Sequence, residues 1–204
     1  MNAWVLERHK FMTEVEVRKL RKYLEDKALA DMAKGRMRNV RVWAVVNFAL
    51  GTGSRVAEIS NVRIRDLDLQ RNEPKVLIHG KGGKQRLVYI SPALRKHLLE
   101  YLDWKKKAVD EPTGKEDYLF LSERGGKFAT RSLQSMFETA VKGAGLPKYS
   151  IHACRHSFGT YLYQKTKNLR MVQKQLGHTS VSTTQVYADV TPEEMSNGVQ
   201  GLWE

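Results

Sequence analysis

An almost uniformly apolar stretch, Val40 to Leu50, places the strongest limit on how this chain can fold. The stretch is apolar on nearly all sides of a helix rather than along one stripe, and Gly51-Thr52-Gly53 ends it. A helix that is apolar all round is stable when other elements surround it. The sequence therefore predicts one central buried helix, with the rest of the 204 residues packed around it as one domain or at most two small ones.

Three short segments after this helix have the alternation or the β-branched content of strands. The strand candidates are Asp66–Leu69, Lys75–Ile78 and Arg86–Ile90, and the glycines of Gly80–Lys84 indicate a hairpin loop between the last two. Amphipathic helical patterns precede and follow these segments. We therefore expect an α+β fold that is mainly α-helical and has a small three-stranded antiparallel sheet.

Several of the helices have recognisable start or stop signals. Thr13 with Glu16 forms a capping box, and Ser91-Pro92 supplies a cap followed by proline at the first helical position. The other residues predicted to cap helix ends are Ser54, Thr130 and, after a short helix, Gly177.

The residues best suited to chemistry are concentrated in the last quarter of the chain. Ser150 is predicted to cap a helix that starts just before His152, so that His152 and Arg155, three residues apart, share one face. A helix N-terminus, an imidazole and a guanidinium together favour an anion, most simply a phosphate. His178 and Tyr187 follow in a segment predicted to fold back nearby, and tyrosine can act as a nucleophile. This arrangement suggests phosphoryl transfer.

The charge balance indicates a polyanionic partner. Lysine and arginine total 35 against 22 acidic residues, which gives a net charge of +13 and favours nucleic acid, although a basic, highly soluble protein without such a partner has the same balance. The single cysteine, Cys154, excludes an internal disulfide and fits a reducing compartment. The chain has no apolar run of transmembrane length and no signal-peptide core in residues 1–10. We expect a soluble cytoplasmic protein that associates with the nucleoid and not with membranes.

Two further basic positions complete a series of six. Arg55 follows Thr52-Gly53-Ser54 at a helix start, and Lys81 lies at the glycine-flanked hairpin tip. With the four residues of the C-terminal stretch in this order, the chain resembles the tyrosine recombinase family of phage-type integrases and Xer-like recombinases. The motifs that carry the resemblance are Thr52–Ile59 for the first arginine box, Gly80–Arg86 for the lysine hairpin, His152–Arg155 for the His-x-x-Arg box, and Leu176–His178 with Tyr187 for the final box.

This resemblance runs from about Thr13 to the tail and implies the tyrosine recombinase catalytic-domain fold, with a role for each residue of the series. Arg55 and Arg155 would clamp the non-bridging oxygens of the scissile phosphate. Tyr187 would attack phosphorus and leave a 3′-phosphotyrosyl bond, and Lys81 would protonate the departing 5′ oxygen as general acid. The implied activity is site-specific cutting and rejoining of DNA strands.

The same resemblance assigns supporting roles to three more side chains. His152 would assist proton transfer at the nucleophile, His178 would donate a hydrogen bond to the phosphate, and Glu58 would orient part of the site. The resemblance also implies that no cofactor is required: arginines replace the charge of a metal ion, and the phosphotyrosyl bond conserves the phosphodiester energy without ATP.

Each residue of the series also has a plainer interpretation when it is taken alone. Tyr187 would ordinarily be a partly buried aromatic, Lys81 a solvated loop lysine, and His152 with Arg155 a pair that binds a tail carboxylate. Six such coincidences in the order of one family are jointly improbable. Two histidines outside the series, His79 and His156, are assigned to packing or to the surface.

Three other basic residues are predicted to contact DNA: Lys84 and Arg86 near the hairpin, and Arg131 at a helix start. Two other functions remain possible on the sequence. A type IB topoisomerase shares this chemistry, but the compact motifs and the hairpin favour a recombinase. A non-catalytic DNA-binding relic of a mobile element is disfavoured by the intact tyrosine and arginines.

The predicted organisation is a leading or linker segment (1–12), a catalytic domain (13–190) and a C-terminal tail helix (191–204). Family members usually carry an N-terminal helical domain that clamps DNA, and this chain starts about where the linker to that domain would lie. The tail has an apolar stripe at Met195, Val199, Leu202 and Trp203. We expect the tail to dock either on its own domain or, as the resemblance implies, on a neighbouring protomer. The resemblance also implies that four protomers assemble as a homotetramer on a double-stranded recombination site. Free in solution, we expect a monomer.

Overall fold

The computed structural model describes residues 10–70, 72–108, 111–178 and 184. Two of the connections between helices and strands in this part of the chain, Ile64–Asp66 and Lys81–Gly83, are 3-10 helical. In chain order the elements are α1 (Glu14–Met32), α2 (Arg38–Thr52), α3 (Val56–Asn61), β1 (Leu67–Asp68), β2 (Lys75–His79), β3 (Gln85–Tyr89), α4 (Pro92–Ala108), α5 (Thr130–Gly143), α6 (His152–Thr166) and α7 (Leu169–Leu176).

Helix α2 is the central helix of the fold. Val40, Val45, Val46 and Phe48 on it have no exposed surface, and α1, α4, α5 and α6 all pack against it. Burying a side chain of this kind stabilises the fold by about 1.5–3 kcal/mol, so an all-round apolar helix holds its neighbours together. The predicted central helix is confirmed. The C-cap of the helix is Gly53, which has φ 61°, and α3 begins three residues later at Val56.

The three strands form one antiparallel sheet in the order β1-β2-β3. The strand predictions are confirmed with bounds that differ by at most one residue at each end. In the β2–β3 pair, Ile78 lies opposite Arg86 and Val76 lies opposite Val88. Cross-strand partners share a face of the sheet, and Val76, Ile78 and Val88 are fully buried. Arg86 therefore projects from the inner face of the sheet, towards the protein.

The helix starts show which cap predictions are right. Thr13 and Glu16 form the predicted capping box of α1, the Ser91 hydroxyl accepts a hydrogen bond from the Leu94 amide at the start of α4 (3.2 Å), and Gly177 ends α7 with φ 67°. Three predicted N-caps are wrong by one residue, because the N-cap positions belong to Arg55, Ala129 and Ile151 rather than to Ser54, Thr130 and Ser150.

The physical reasons for two of these corrections are visible. The Ser54 hydroxyl accepts a hydrogen bond from the Thr52 hydroxyl (3.0 Å), and the α3 amide of Arg55 is satisfied instead by the Glu58 carboxylate (2.7 Å). At α6 the backbone carbonyl of Ser150, not its side chain, accepts from the Ala153 amide (2.9 Å). The helix nevertheless begins at His152 as expected.

Some predictions fall outside the described residues. These include most of the leading segment 1–12, the nucleophile Tyr187 and the tail 191–204, so the proposed division into segments stays a prediction. Among the helices that are described, none is long and apolar enough to cross a membrane.

Candidate active site

Arg55 stands at the N-terminal end of α3, directly after the turn that ends α2. Its backbone amide and its Nη1 both donate to the Glu58 carboxylate, at 2.7 and 3.1 Å, so that Glu58 holds both the helix start and the guanidinium. The Arg55 side chain is 46% exposed while Glu58 is 5% exposed. The guanidinium is thus held by the buried Glu58 carboxylate on one side and accessible to a ligand on the other.

The Glu58 carboxylate remains charged despite its burial. Burial by itself raises the pKa of Glu58, but hydrogen bonds from Arg86 and from the Arg55 amide, together with both guanidinium charges, outweigh it and hold the pKa below its ordinary value of 4.5. A carboxylate between two arginines in this way orients them and also cancels part of their mutual repulsion.

Lys81 and Lys84 occupy the tip of the β2–β3 hairpin, which the Gly80 amide closes by donating to the Lys84 carbonyl (2.7 Å). Both side chains are exposed. Neither ammonium group has a hydrogen-bond or ion-pair partner in the described part of the chain. The hairpin therefore presents two exposed cations at the edge of the site, which suits contact with a large anion.

Arg155 lies in the first turn of α6 and is 5% exposed. Its Nη1 donates to the Gly53 carbonyl and its Nη2 to the Leu176 carbonyl, each at 2.7 Å. One guanidinium therefore joins the end of α2, just before Arg55, to the end of α7, just before His178. His152, at the first position of α6, is exposed.

His178 follows the left-handed Gly177 at the end of α7. Its amide donates to the Gln173 carbonyl (3.1 Å), and its Nδ1 lies 2.9 Å from the hydroxyl of Thr184, which is fully buried. Burial, followed by the charges of Arg155, Arg55 and Arg86, lowers the pKa of His178 to about 4. The ring is therefore neutral at physiological pH, a form suited to hydrogen bonding rather than to a charge interaction.

These elements enclose one cleft with a volume of about 1070 Å³. Four cationic side chains and one carboxylate line it, an excess of three positive charges suited to a polyanion. The lining residues are Arg55, Ala57, Glu58, Asn61, His79, Gly80, Lys81, Lys84, Gln85, Arg86, Gly177 and His178.

The structure thus brings together many of the predicted site residues, which come from distant parts of the sequence. Arg55, Glu58, Lys81, Lys84 and His178 line the cleft. Arg155 lies behind the cleft, on the two carbonyls that precede Arg55 and His178. The other predicted residues that do not line the cleft are His152 and Arg131, both exposed, and Tyr187, which lies outside the described residues.

The position of Arg86 differs from the one expected for a DNA contact. Its side chain is 11% exposed, and its guanidinium is engaged by the Glu58 carboxylate and the Gln175 carbonyl. The strand register that turns Arg86 inward decides this placement, because every second residue of β3 faces the protein.

Sequence reasoning also missed two polar contacts of the cleft. His79 was assigned to packing or to the surface, but it lines the cleft, and its Nε2 lies 2.9 Å from the buried Asp66 carboxylate. Thr184, beside His178, was not singled out at all. The alternation of β2 is a local signal for the first, since His79 follows Leu77 by two residues. No local pattern in the sequence marks the second.

Comparison with known proteins gives this arrangement a family. The profile of the phage integrase family matches residues 10–194 of the chain. The chain belongs to the phage integrase family. Two curated relatives are tyrosine recombinases: XerD of Corynebacterium glutamicum is 37% identical over 159 residues, 77% of this chain and 51% of that protein. XerC of Caldanaerobacter subterraneus subsp. tengcongensis is 33% identical over 178 residues, 86% of this chain and 48% of that protein.

Solved structures of phage integrase family members share the fold. XerH recombinase bound to its difH substrate in a pre-cleavage complex superposes with a TM-score of 0.79 at 26% identity, over 96% of this chain and 55% of that one. XerA recombinase gives a TM-score of 0.71 at 29% identity, over 95% of this chain and 65% of that one. The predicted fold, that of a tyrosine recombinase catalytic domain, is confirmed. The chain spans about half the length of the curated relatives it matches.

Proposed function

We propose that this chain performs the chemistry of a site-specific DNA recombinase, cutting and rejoining DNA strands through a 3′-phosphotyrosyl intermediate without metal or ATP. One observation carries the proposal. Arg55, Lys81 and His178, which belong to three different elements, line a single cleft with an excess of positive charge, and Arg155 bonds the carbonyls that precede two of them.

The proposed role of the two arginines is to hold the scissile phosphate and to stabilise the charge of the transition state. Arg55 is anchored by Glu58 yet 46% exposed, which leaves N–H groups directed into the cleft. Arg155 is held by two backbone carbonyls, so its charge stands behind the phosphate in one geometry. Cations that do not reorganise during the reaction are the main source of catalysis in phosphoryl transfer.

The proposed step forms one bond and breaks another. The Tyr187 phenolic oxygen attacks phosphorus as its proton passes to His152, and the bond from phosphorus to the 5′ oxygen breaks. Lys81 gives that oxygen a proton, which leaves a 5′-hydroxyl and a 3′-phosphotyrosyl bond. Attack by the 5′-hydroxyl of a second strand reverses every proton transfer and releases Tyr187. The exposed position of Lys81 on the hairpin tip supports its access to a strand lying in the cleft.

His178 contributes a hydrogen bond to the phosphate rather than a charge. Its low pKa keeps the ring neutral, and Nδ1 lies 2.9 Å from the Thr184 hydroxyl. We assign the hydroxyl as the donor in this contact, which places the ring proton on Nε2. That nitrogen is then the donor. This tautomer is what the proposed role requires.

The proposed substrate is a double-stranded recombination site, and the proposed assembly is a homotetramer on that DNA formed from monomers. The net charge of +13 and the cationic cleft support a DNA partner, and the related XerH site-specific recombinase is bound to its difH substrate. The proposed location is the cytoplasm, on nucleoid DNA. Sedimentation of the protein with and without a DNA site measures the stoichiometry.

The test is incubation with a nicked suicide DNA that carries the cognate site, in buffer containing EDTA. We expect a covalent protein–DNA adduct with the wild-type protein and none with Tyr187→Phe, which retains DNA binding. An adduct that persists in Tyr187→Phe overturns the assignment of the nucleophile. Loss of the adduct in EDTA overturns metal independence. Relaxation of supercoils without strand exchange favours a topoisomerase over a recombinase.

A further inference from the structure

Arg86 uses all three nitrogens of its guanidinium inside the protein. Nη1 and Nη2 donate to the two oxygens of the Glu58 carboxylate at 2.9 and 2.8 Å, and Nε donates to the Gln175 carbonyl at 2.9 Å. The residues it joins are 28 and 89 positions away in the sequence. This paired, planar geometry is one that arginine provides and lysine does not.

On one side, Arg86 is linked directly through Glu58 to Arg55, a proposed phosphate-binding residue. The same two Glu58 oxygens that receive Arg86 also receive the amide and the Nη1 of Arg55, at 2.7 and 3.1 Å. Glu58 is 5% exposed, so water competes little for it. The orientation of the Arg55 guanidinium therefore depends on where Arg86 holds the carboxylate.

On the other side, Arg86 supports the turn that presents His178. Gln175, whose carbonyl it binds, belongs to the last turn of α7. A Cβ added to Gly177 would lie 2.6 Å from the Arg86 Cδ and 3.3 Å from its Nη1, so the backbone of the turn rests against the arginine side chain. A cation at the C-terminal end of a helix is also favourable to the helix dipole.

We propose that Arg86 is a positioning residue for the reaction, which sets the spacing between the Arg55 guanidinium and the His178 turn by tying α3, β3 and α7 to one side chain. The inference rests on the proposed function, since it assigns these two groups to one phosphate. Misplacement of a reacting group by about 1 Å is enough to reduce a rate roughly a hundredfold. A side chain that touches no substrate therefore controls the rate.

The same geometry favours an inward-facing role for Arg86 over a DNA contact. Each of its three guanidinium nitrogens already donates one hydrogen bond inside the protein, and 11% of the side chain is exposed. Lys84, by contrast, is exposed on the hairpin two residues earlier. Removal of one phosphate contact lowers the slope of log K against log salt by about 0.9. The salt slope of DNA binding therefore distinguishes a phosphate contact at Lys84 from an internal role of Arg86.

The experiment compares Arg86→Lys with Arg95→Lys. Arg95 is a matched control, because its Nε donates to the Leu69 carbonyl at 2.8 Å and it does not line the cleft. We measure single-turnover cleavage at saturating suicide DNA, the salt dependence of DNA binding, and the imidazole ¹⁵N signals of the free protein. His97, which packs against Trp43 in another part of the fold, serves as the internal reference for those signals.

For Arg86→Lys we expect cleavage to fall about thirtyfold or more and the His178 signal to be displaced with His97 unmoved. For Arg86→Gln, which removes the charge, we expect an unchanged salt slope. Arg95→Lys changes none of the three, and Lys84→Ala lowers the salt slope. If Arg86→Gln, which removes the positive charge that lysine keeps, lowers the slope by about 0.9 while Arg86→Lys leaves cleavage at saturation unchanged, Arg86 is a DNA contact and the proposal is wrong. Unchanged cleavage together with an unchanged His178 signal also overturns it.

The outcomes also separate this inference from the proposed function. A wild-type protein that binds DNA but forms no adduct contradicts the proposed function, while a His178 signal that moves in Arg86→Lys still supports the positioning of the turn. If Arg86→Lys does not fold, Glu58→Gln weakens the same pair from its other end. It is expected to reduce cleavage and displace the His178 signal, and no effect on either overturns the proposal.

Discussion

The floor and the rim of the cleft hold their cations in opposite ways. The floor consists of Arg86 and Arg155, which are 11% and 5% exposed and are bonded to a carboxylate and to backbone carbonyls. The rim consists of Arg55, which is 46% exposed, and the two hairpin lysines, Lys81 and Lys84, which have no hydrogen-bond partner among the described residues. All five side chains are cations. The two floor arginines are hydrogen-bonded within the protein, Arg55 is bonded to Glu58 but half exposed, and the two lysines extend into solvent.

The difference teaches how one site combines rigidity with adaptation. Guanidinium groups bonded on several nitrogens cost little reorganisation when charge develops on a phosphate. Ammonium groups at a hairpin tip adjust to the position of a DNA strand that arrives from solution. We therefore expect substitutions in the floor to affect both stability and chemistry, and substitutions in the rim to affect chemistry or binding with little change in stability.

The largest effect is expected for Arg155→Ala, compared with Arg55→Ala. Each variant should cut cleavage by about 10²–10³-fold, as loss of one preorganised donor does. Arg155→Ala should also lower the free energy of unfolding by about 3 kcal/mol, since it removes two charge-assisted bonds to buried carbonyls. Single-turnover cleavage and urea denaturation measure the two quantities. If Arg55→Ala lowers the free energy of unfolding as much as Arg155→Ala does, the floor and rim arginines contribute equally to stability and the proposed contrast is wrong.

The next effect is expected for Lys81→Ala. Cleavage of normal DNA should fall about a hundredfold, the size typical of a lost general acid. A substrate with sulfur in the 5′-bridging position has a leaving group that needs no proton, so it should rescue Lys81→Ala much more than Arg155→Ala. Rates on the two substrates measure this rescue. If Lys84→Ala is rescued and Lys81→Ala is not, the acid is Lys84.

A smaller effect is expected for Gly177→Ala, with Gly82→Ala as its control. Both glycines have positive φ, 67° and 71°, but a Cβ at Gly177 meets Arg86 at 2.6 Å whereas Gly82 has no neighbour within 4 Å. A non-glycine residue in this conformation costs about 1–2 kcal/mol, and the displaced arginine adds to that cost at Gly177 alone. Equal losses of unfolding free energy in urea would contradict the close packing of the floor.

The smallest effect is a pH dependence that comes from Glu58. Its folded-state pKa lies below the ordinary 4.5, so its contribution to stability is fully present above that pH. The contribution is lost as the pH falls through the lower folded value. Wild type should therefore be more stable than Glu58→Gln at pH 6, and the two should converge in denaturation curves recorded towards pH 3. A difference that grows as the pH falls would show that the carboxylate is not held charged by Arg55 and Arg86.

Local patterns were sufficient to predict most of the fold. The all-round apolar composition of Val40–Leu50 required the burial that α2 shows, and the Thr13 and Glu16 box marked the start of α1. The caps at Ser54, Thr130 and Ser150 were misassigned by one residue. A serine or threonine before a helix signals a start, but its neighbours decide whether its hydroxyl or its backbone makes the bond.

The site was predictable where its residues stand in family order and not where they meet by tertiary contact. Arg55, Lys81 and His178 were identified from their motifs. The partners of Arg86 were not, because β3 has apolar residues on both faces, Leu87 and Tyr89 on one and Val88 on the other. The sequence of the strand therefore did not show which face is buried. For the same reason it did not show whether Arg86 points towards DNA or towards Glu58.

The most direct test of the account locates the covalent bond itself. The adduct from suicide DNA is digested with nuclease and trypsin, and the modified peptide is sequenced by mass spectrometry. Residues 175–204 contain no lysine or arginine and have Tyr187 as their single tyrosine, so one peptide reports on the nucleophile. The account predicts a nucleotide attached to Tyr187 on that peptide. A nucleotide on any other residue, or wild-type protein that binds the site and yields no modified peptide, would contradict it.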